Sequence, residues 1–163
     1  MSKLIDTAVA AVRARSGGRV PAIGIVMGSG LSAQTARIAG ATRIPYGDIP
    51  HFPQTTALGH AGELILGQIQ GVPVAVMSGR VHFYEGYSED QVVFPVRVLG
   101  RLGVTAIVLT NAAGAVNKSF RPGEFMFLSD HLNLTGKNPL LGPNDPELGP
   151  RFPDMSQAYD PGL

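Results

Sequence analysis

The side chains best suited to chemistry lie between residues 80 and 87, where the chain reads Arg-Val-His-Phe-Tyr-Glu-Gly-Tyr. The planar guanidinium of Arg80 suits two oxygens of a phosphate group. His82 and Tyr84 follow at alternate positions, so in an extended segment all three side chains point to the same side. The ring of Tyr84 could cover a sugar, and its hydroxyl could reach that sugar. A surface loop with a solvated arginine and packed aromatic rings is the alternative for this segment.

A second candidate is the turn Gly28-Ser29-Gly30, which follows an apolar run from Ala22 to Met27. Backbone N–H groups and a serine hydroxyl at the start of a helix favour an anion. Extended to Ala33, the turn also fits the G-x-G-x-x-G/A fingerprint of dinucleotide-binding proteins, with Asp48 about twenty residues further on. That acid should close a strand, whereas Asp48 lies in a turn-like stretch, so the fingerprint is weak evidence. A tight turn without a ligand stays open.

His60 lies between small residues in the segment Gly59–Gly62, which could approach a ligand closely. A lone histidine is more often structural, so His60 is a supporting candidate, and we interpret His51 and His131 as structural. The histidines lack metal-ligand spacing and the carboxylates do not cluster, so no metal site is predicted. Neither a P-loop nor a nucleophile elbow occurs. The sequence therefore offers anion binding and positioning without an obvious covalent nucleophile.

The elements that would position these residues belong to an α/β fold. Apolar spacing predicts a helix over 3–15, and the capping-box pair Ser88 and Gln91 begins another that runs to about Leu102 with a kink at Pro95. A short helix is predicted from Leu31 to Ile38. Apolar runs predict strands at Ala22–Met27, Glu63–Ile69, Val72–Met77, Val104–Thr110 and Phe125–Leu128, with a hairpin turn at Gln70-Gly71 and a long ordered loop from Gly136 to Pro150.

Three of these strands end in small or polar residues, at Gly28–Gly30, Ser78–Arg80 and Asn111–Gly114. The first and last of the three are predicted to be buried on both faces, as in a parallel sheet. In open α/β sheets, ligands bind outside the carboxyl ends of the strands. If the strands are parallel neighbours, their three turns converge on one crevice.

Composition limits the class of protein. The 163 residues suit one domain, and 44% apolar with 15% charged residues is a soluble, globular composition. A net charge of +1 without a basic cluster argues against nucleic-acid binding. Disulfides and thiolate chemistry are excluded because the chain has no cysteine. The apolar stretch Ala8–Val12 is too short for a signal peptide or a membrane span, so a cytoplasmic location is expected.

Taken together, the motifs resemble those of the trimeric purine nucleoside phosphorylases, within the nucleoside phosphorylase family. The matching segments, in chain order, are Gly28–Leu31, Gly59–Gly62, Gly79–Tyr87, Thr110–Gly114, Gly142–Asp145 and Arg151–Ser156. They cover nearly the whole chain, which makes the set far more specific than any single motif. The turn Asn111–Gly114 favours this branch over the methylthioadenosine phosphorylases.

The resemblance implies a glycosyltransferase of purine salvage that converts purine nucleosides and inorganic phosphate to free base and ribose 1-phosphate, without a cofactor. Arg80 and His82 would be the catalytic residues. The other implied roles are phosphate binding by Ser29, His60, Arg80, His82 and the backbone of Ala112, ribose contact by Tyr84, and lining of the purine site by Ala113 and Gly114. Phe152 matches a phenylalanine that family members lend to the ribose pocket of the neighbouring subunit, which implies a homotrimer.

The family's chains continue beyond the position of Leu163, and the remainder carries the residues that hold the purine ring. The resemblance therefore implies a mixed, largely parallel central sheet flanked by helices, C-terminally truncated, with residues 1–163 as a single incomplete domain. Two alternatives stay open. One is a non-catalytic fragment that binds phosphate or nucleoside. The other, a dinucleotide-binding oxidoreductase, leaves Arg80, His82 and Tyr84 without a role.

Overall fold

The computed structural model describes residues 1–55 and 61–162, apart from the side chain of Ser29. It divides the chain into two compact units, Met1–Ala112 and Ala113–Leu163. The assignment of 1–163 to a single domain stays a prediction.

The first unit contains a mixed five-stranded sheet flanked by helices, as predicted. Its strands are β1 (Ile23–Met27), β2 (Ala39–Pro45), β3 (Glu63–Ile69), β4 (Val72–Ser78) and β5 (Ala106–Leu109), in the spatial order β2-β3-β4-β1-β5. The α-helices are α1 (Ser2–Ser16) and α2 (Glu89–Leu102), and short 3₁₀ helices span Ser29–Arg37, Tyr46–Asp48 and Phe83–Glu85. β1 pairs in parallel with β4 and β5, whereas the pairs β2–β3 and β3–β4 are antiparallel.

Local sequence signals define the ends of these elements. The hydroxyl of Ser88 accepts a hydrogen bond from the backbone N–H of Gln91, whose side chain accepts one from the N–H of Ser88 at 3.0 Å, so the predicted capping box begins α2. In the hairpin, Gln70 and Gly71 have φ values of 50° and 81°. Positive φ at both central residues is typical of a type I′ turn, whose twist matches that of the flanking strands.

Two apolar layers pack against the two faces of the sheet. Successive residues of a strand point to opposite faces, so Leu64 and Leu66 of β3 pack with α1 and α2, whereas Ile65 belongs to the opposite layer. The helical residues of the first layer are Ile5, Ala8, Val9, Val12, Phe94, Val98, Leu99 and Leu102. The opposite layer includes Ile38 and, at its margin, Leu31 from the segment after β1. Both faces of the central strands are therefore apolar, as predicted for β1.

Two expectations about strands were wrong. β5 was predicted to be buried, but Val108 and Leu109 are 48% and 67% exposed. β5 is the last strand in the sheet and pairs with β1 alone among the described strands. The apolar run Phe125–Leu128 forms no strand in the described part of the second unit, and Phe127 is 92% exposed. A strand requires a pairing neighbour, which an apolar run does not supply by itself.

Two further elements differ from the sequence interpretation. The segment after β1 is a 3₁₀ helix from Ser29 to Arg37 rather than the short helix predicted from Leu31. Strand β2 was not predicted because it lacks an apolar run. Most of its residues are exposed, and its pairing with β3 shifts register between Ala39 and Thr42. Among the described residues, no helix has the length and hydropathy needed to cross a membrane.

Gly67 of β3 lies so close to the irregular start of β2 that a side chain should not fit. A Cβ atom there would lie 2.5 Å from Cγ2 of Ile38 and 2.7 Å from the carbonyl oxygen of Ala39. We expect Gly67→Ala to lower the free energy of unfolding by about 1–3 kcal/mol through overpacking. The measurement is urea-induced unfolding followed by circular dichroism.

Gly100→Ala is the matched control, because a Cβ on this exposed residue of α2 would meet nothing within 4 Å. Alanine should stabilise the helix at that position by up to about 1 kcal/mol. If both variants unfolded at the same urea concentration, the close approach of β2 to Gly67 would not constrain the fold.

Candidate active site

The carboxyl ends of β1, β4 and β5 lie side by side, as the sequence predicted. In the parallel ladders Met27 is paired with Ser78 and Val26 with Leu109. The turns that follow the three strands consequently begin at the same edge of the sheet. This edge is where open α/β sheets bind their ligands.

Thr110, the residue after β5, connects these turns directly. Its backbone N–H and its hydroxyl both donate to the carbonyl of Val26, each at 3.0 Å. The same hydroxyl accepts a hydrogen bond of 2.9 Å from the N–H of Gly28, the first residue of the Gly28–Gly30 turn. A single threonine side chain therefore fixes the start of this turn against the end of β5.

Arg80 reaches the same edge from β4. The residue before it, Gly79, has a φ of 100°, a conformation that favours glycine. The Nη1 group of Arg80 donates a hydrogen bond to the carbonyl of Thr110. Because a guanidinium carries five N–H donors in one plane, a bond through one nitrogen orients the whole fork. Arg80 and the turn Gly28–Gly30 therefore lie on one rim.

His82 is oriented by a buried carboxylate. Oε1 of Glu85 lies 2.9 Å from Nδ1 of His82 and accepts a 2.7 Å hydrogen bond from its backbone N–H. The side chain of Glu85 is only 2% exposed. An ionised carboxylate can only accept, so Nδ1 is the donor in this contact and the ring orientation is set.

Tyr84 stacks on His82 but not through the extended geometry expected from the sequence. His82 is extended, and the chain then turns into the 3₁₀ helix Phe83–Glu85. The rings of His82 and Tyr84 are nevertheless 4.7 Å apart between centroids, with 15° between their planes. Tyr84 is 77% exposed. One face of its ring lies against His82, and the remainder of the side chain is exposed.

The remaining predicted ligands of phosphate differ in how far the structure describes them. Ser29 begins the 3₁₀ helix that follows β1, and its side chain is outside the described part of the structure, as is all of His60. Ala112 is exposed and closes the first unit two residues after Thr110. The side-chain amide of Asn111 donates to the carbonyl of Ala112 at 3.3 Å.

Ala113, Gly114 and Phe152 belong to the second unit. Phe152 is 87% exposed, and the guanidinium carbon of Arg151 lies 6.0 Å from the centre of its ring. Arg151 also donates a 2.5 Å hydrogen bond to the carbonyl of Gly142. Two of the family-like motifs are therefore joined within this unit, while the roles of Ala113, Gly114 and Phe152 stay predictions.

Sequence reasoning missed three residues that shape the site. Thr110 and Glu85 were named within the matching motifs, but neither was predicted to position another residue. Tyr46 lies in the stretch around Asp48 that was interpreted as turn-like, yet it is 2% exposed and its hydroxyl donates to the carbonyl of Gly79 at 2.7 Å. Burial, with a smaller contribution from the charge of Glu63, raises the pKa of Tyr46. The sequence offered one signal for the burial of this tyrosine, its position between the apolar residues Ile44 and Ile49.

With the site in place, comparison with known proteins defines the class. The model of the phosphorylase superfamily matches residues 22–163, and the chain belongs to this family. The resemblance to the purine nucleoside phosphorylases is likewise confirmed. Purine nucleoside phosphorylase 1 of Geobacillus stearothermophilus is 57% identical over 143 residues, and the enzyme of Mus musculus is 50% identical. The purine nucleoside phosphorylase of Schistosoma mansoni, crystallised with acetate, superposes with a TM-score of 0.89 at 42% identity.

The aligned regions cover most of this chain but only part of its relatives. The match to the Geobacillus protein takes in 88% of this chain and 52% of that protein, and the match to the mouse protein 86% and 50%. The Schistosoma structure is matched over 98% of this chain and 60% of its own. The chain thus spans about half the length of these curated relatives.

The contacts of Thr110 lead to a test of stability. Thr110→Val keeps the shape of the side chain but leaves the N–H of Gly28 without its acceptor. We expect the free energy of unfolding to fall by about 1–3 kcal/mol, measured by urea unfolding, because a part-buried donor loses its partner.

Thr105→Val is the matched control at the opposite end of the same chain segment. Thr105 also donates to one carbonyl, that of Ala22, through its N–H at 2.9 Å and its hydroxyl at 3.2 Å. That hydroxyl is exposed, so its loss should change stability little. Equal destabilisation by the two substitutions would contradict a special role for Thr110.

Proposed function

We propose that this chain supplies the phosphate- and ribose-binding part of an active site that cleaves purine nucleosides with inorganic phosphate. The products are a free purine base and ribose 1-phosphate. The observation that carries the proposal is the guanidinium of Arg80 held against Thr110, on the rim where the Gly28–Gly30 turn begins. Solved relatives of similar sequence were crystallised with ribose-1-phosphate and with hypoxanthine, which supports these substrate classes.

The mechanism follows from where charge develops. An oxygen of the phosphate forms a bond to C1′ of the sugar as the bond from C1′ to the purine nitrogen breaks, and the purine leaves with that electron pair. Positive charge builds on the sugar in between, and the fixed phosphate dianion stabilises it. Holding phosphate beneath C1′ also removes much of the entropic part of the barrier.

The residues take the following parts. Arg80 donates to phosphate oxygens and His82 contacts the phosphate, each from an orientation that a neighbouring residue fixes. Tyr84 contacts the ribose with its exposed ring. Ser29, His60 and the backbone of Ala112 complete the phosphate site, while Ala113 and Gly114 line the purine site. Inorganic phosphate is the co-substrate, no further cofactor is needed, and the protein acts in cytoplasmic purine salvage.

The geometry argues against the dinucleotide alternative. The turn Gly28–Gly30 leads into a 3₁₀ helix rather than an α-helix, and Asp48 forms an ion pair of 2.5 Å with Arg15 of α1. Asp48 ends the 3₁₀ helix Tyr46–Asp48, which follows β2, so it does not close a strand as an acid that binds a ribose should. A titration with nicotinamide cofactors should give no binding signal.

Removing Arg80 tests the proposed reaction. Arg80→Ala deletes the bidentate fork, so phosphate-dependent release of purine base should fall by at least about a hundredfold. The assay measures base released from inosine or guanosine with and without added phosphate. Arg80→Lys should rescue little, because an ammonium group cannot reproduce the planar fork.

Arg97→Ala is the matched control, since Arg97 lies on α2 and pairs with Asp90 at 3.1 Å. It removes the same charge and should leave turnover unchanged. Near-normal phosphorolysis by Arg80→Ala would contradict the assignment. Phosphate binding without any turnover in the unsubstituted full chain would favour the non-catalytic alternative.

A homotrimer, with Phe152 completing the ribose site of a neighbouring subunit, is part of the proposal. The exposure of this phenylalanine in its own unit supports it. We expect Arg80→Ala and Phe152→Ala to be inactive separately, and a co-refolded mixture to recover part of the activity. Recovery is expected because mixed assemblies contain sites with one intact Arg80 and one intact Phe152. No recovery, in mixtures shown by native mass spectrometry to have exchanged subunits, would argue that each site is built from one chain.

A further inference from the structure

We infer that Tyr46 is a positioning residue that holds the turn carrying Arg80 in a fixed relation to Gly62. This inference rests on the proposed function, in which Arg80 binds phosphate. Tyr46 touches neither of the reacting molecules in this scheme. It acts through the backbone of Gly79 and Gly62.

The side chain of Tyr46 belongs to the core, where a polar atom needs a partner. Its ring packs against Phe52 with centroids 5.3 Å apart, in the apolar layer that includes α1 and α2. Its hydroxyl donates to the carbonyl of Gly79 at 2.7 Å. A buried donor without an acceptor would be costly, so the position of the ring and that of the carbonyl depend on each other.

The hydrogen bond to Gly79 fixes the backbone of Arg80. The carbonyl of Gly79 and the N–H of Arg80 belong to one planar peptide unit, so holding the oxygen also holds the direction in which Arg80 leaves β4. At its other end, the guanidinium of Arg80 donates to the carbonyl of Thr110. Arg80 is therefore held at its backbone by Tyr46 and at its side-chain end by Thr110.

The backbone of Tyr46 is hydrogen-bonded to Gly62. Its N–H donates to the carbonyl of Gly62 at 2.8 Å, and the N–H of Gly62 donates to the carbonyl of Ser78 at 2.9 Å. Gly62 has a φ of 66° and Gly79 one of 100°. Tyr46, Gly62 and the pair Ser78-Gly79 thus form a closed set of hydrogen bonds around two conformations that ordinary side chains rarely adopt.

The ionisation state of Tyr46 is suited to this role. Burial is the main cause that raises its pKa, and the charge of Glu63 adds to the effect. The hydroxyl consequently stays protonated, and remains a donor, at every pH at which an enzyme of this class would be assayed. No proton needs to move for the contact to persist.

The test is Tyr46→Phe in the full chain, which removes one oxygen and keeps the ring. We expect KM for inorganic phosphate to rise by about fivefold or more, as the loss of one buried hydrogen bond predicts. KM for the nucleoside should stay unchanged. If Tyr46 had only a structural role, Tyr46→Phe would lower the melting temperature without raising KM for phosphate relative to KM for the nucleoside.

Val12→Ala supplies the control for lost stability. Val12 is a fully buried residue of α1, in the same apolar layer but not in the hydrogen-bonded set. Both variants are assayed at temperatures equally far below their own melting points, and Val12→Ala should keep both KM values. If Tyr46→Phe also kept both, or raised both equally, the inference would be overturned.

Direct binding separates failure of this inference from failure of the proposed function. Titration calorimetry with inorganic phosphate is carried out on the unsubstituted chain and on Tyr46→Phe. Weaker binding by the variant supports the inference even if no turnover is found. Equal binding overturns it while leaving the proposed function intact. Absence of phosphate binding by the unsubstituted chain would overturn both.

Discussion

Parallel pairing of β1 with β4 on one side and β5 on the other is the constraint on which the rest of the site depends. It brings the ends of three strands that are distant in sequence to one edge of the sheet. Thr110 then joins two of the following turns, because its hydroxyl accepts from Gly28 while its carbonyl accepts from Arg80. Without this register, the glycine turn and the arginine would not lie at the same edge of the sheet.

Neighbouring groups hold the side chains at this edge of the sheet. Arg80 is bonded at both ends, His82 is oriented by Glu85, and Tyr84 lies against His82. In the proposed reaction, donors held in this way would need little reorganisation as charge develops, which is a main source of electrostatic catalysis. Several of the groups that hold these side chains are backbone carbonyls at the ends of strands, so the rigidity of the sheet extends to the site.

In β5 and in Phe125–Leu128, the apolar sequence predicts burial that the structure does not show. Both runs have the composition of buried strands, yet Leu109 and Phe127 are largely exposed within their own units. Apolar side chains favour burial, but they become buried only where another surface packs against them. The curated relatives are about twice as long as the region they share with this chain.

By itself, the sequence determined the elements with strong local signals: both helices, the hairpin with Gln70-Gly71 at its turn, and the glycine and arginine motifs at strand ends. These follow from periodicity, capping and turn preferences, which act over a few residues. Only the tertiary structure decided that β2 exists, that β5 is exposed, and that Tyr46 contacts Gly79 across 33 residues of chain. The physical reason is that pairing, burial and hydrogen bonding between distant segments depend on which surfaces meet, and a local pattern does not contain that information.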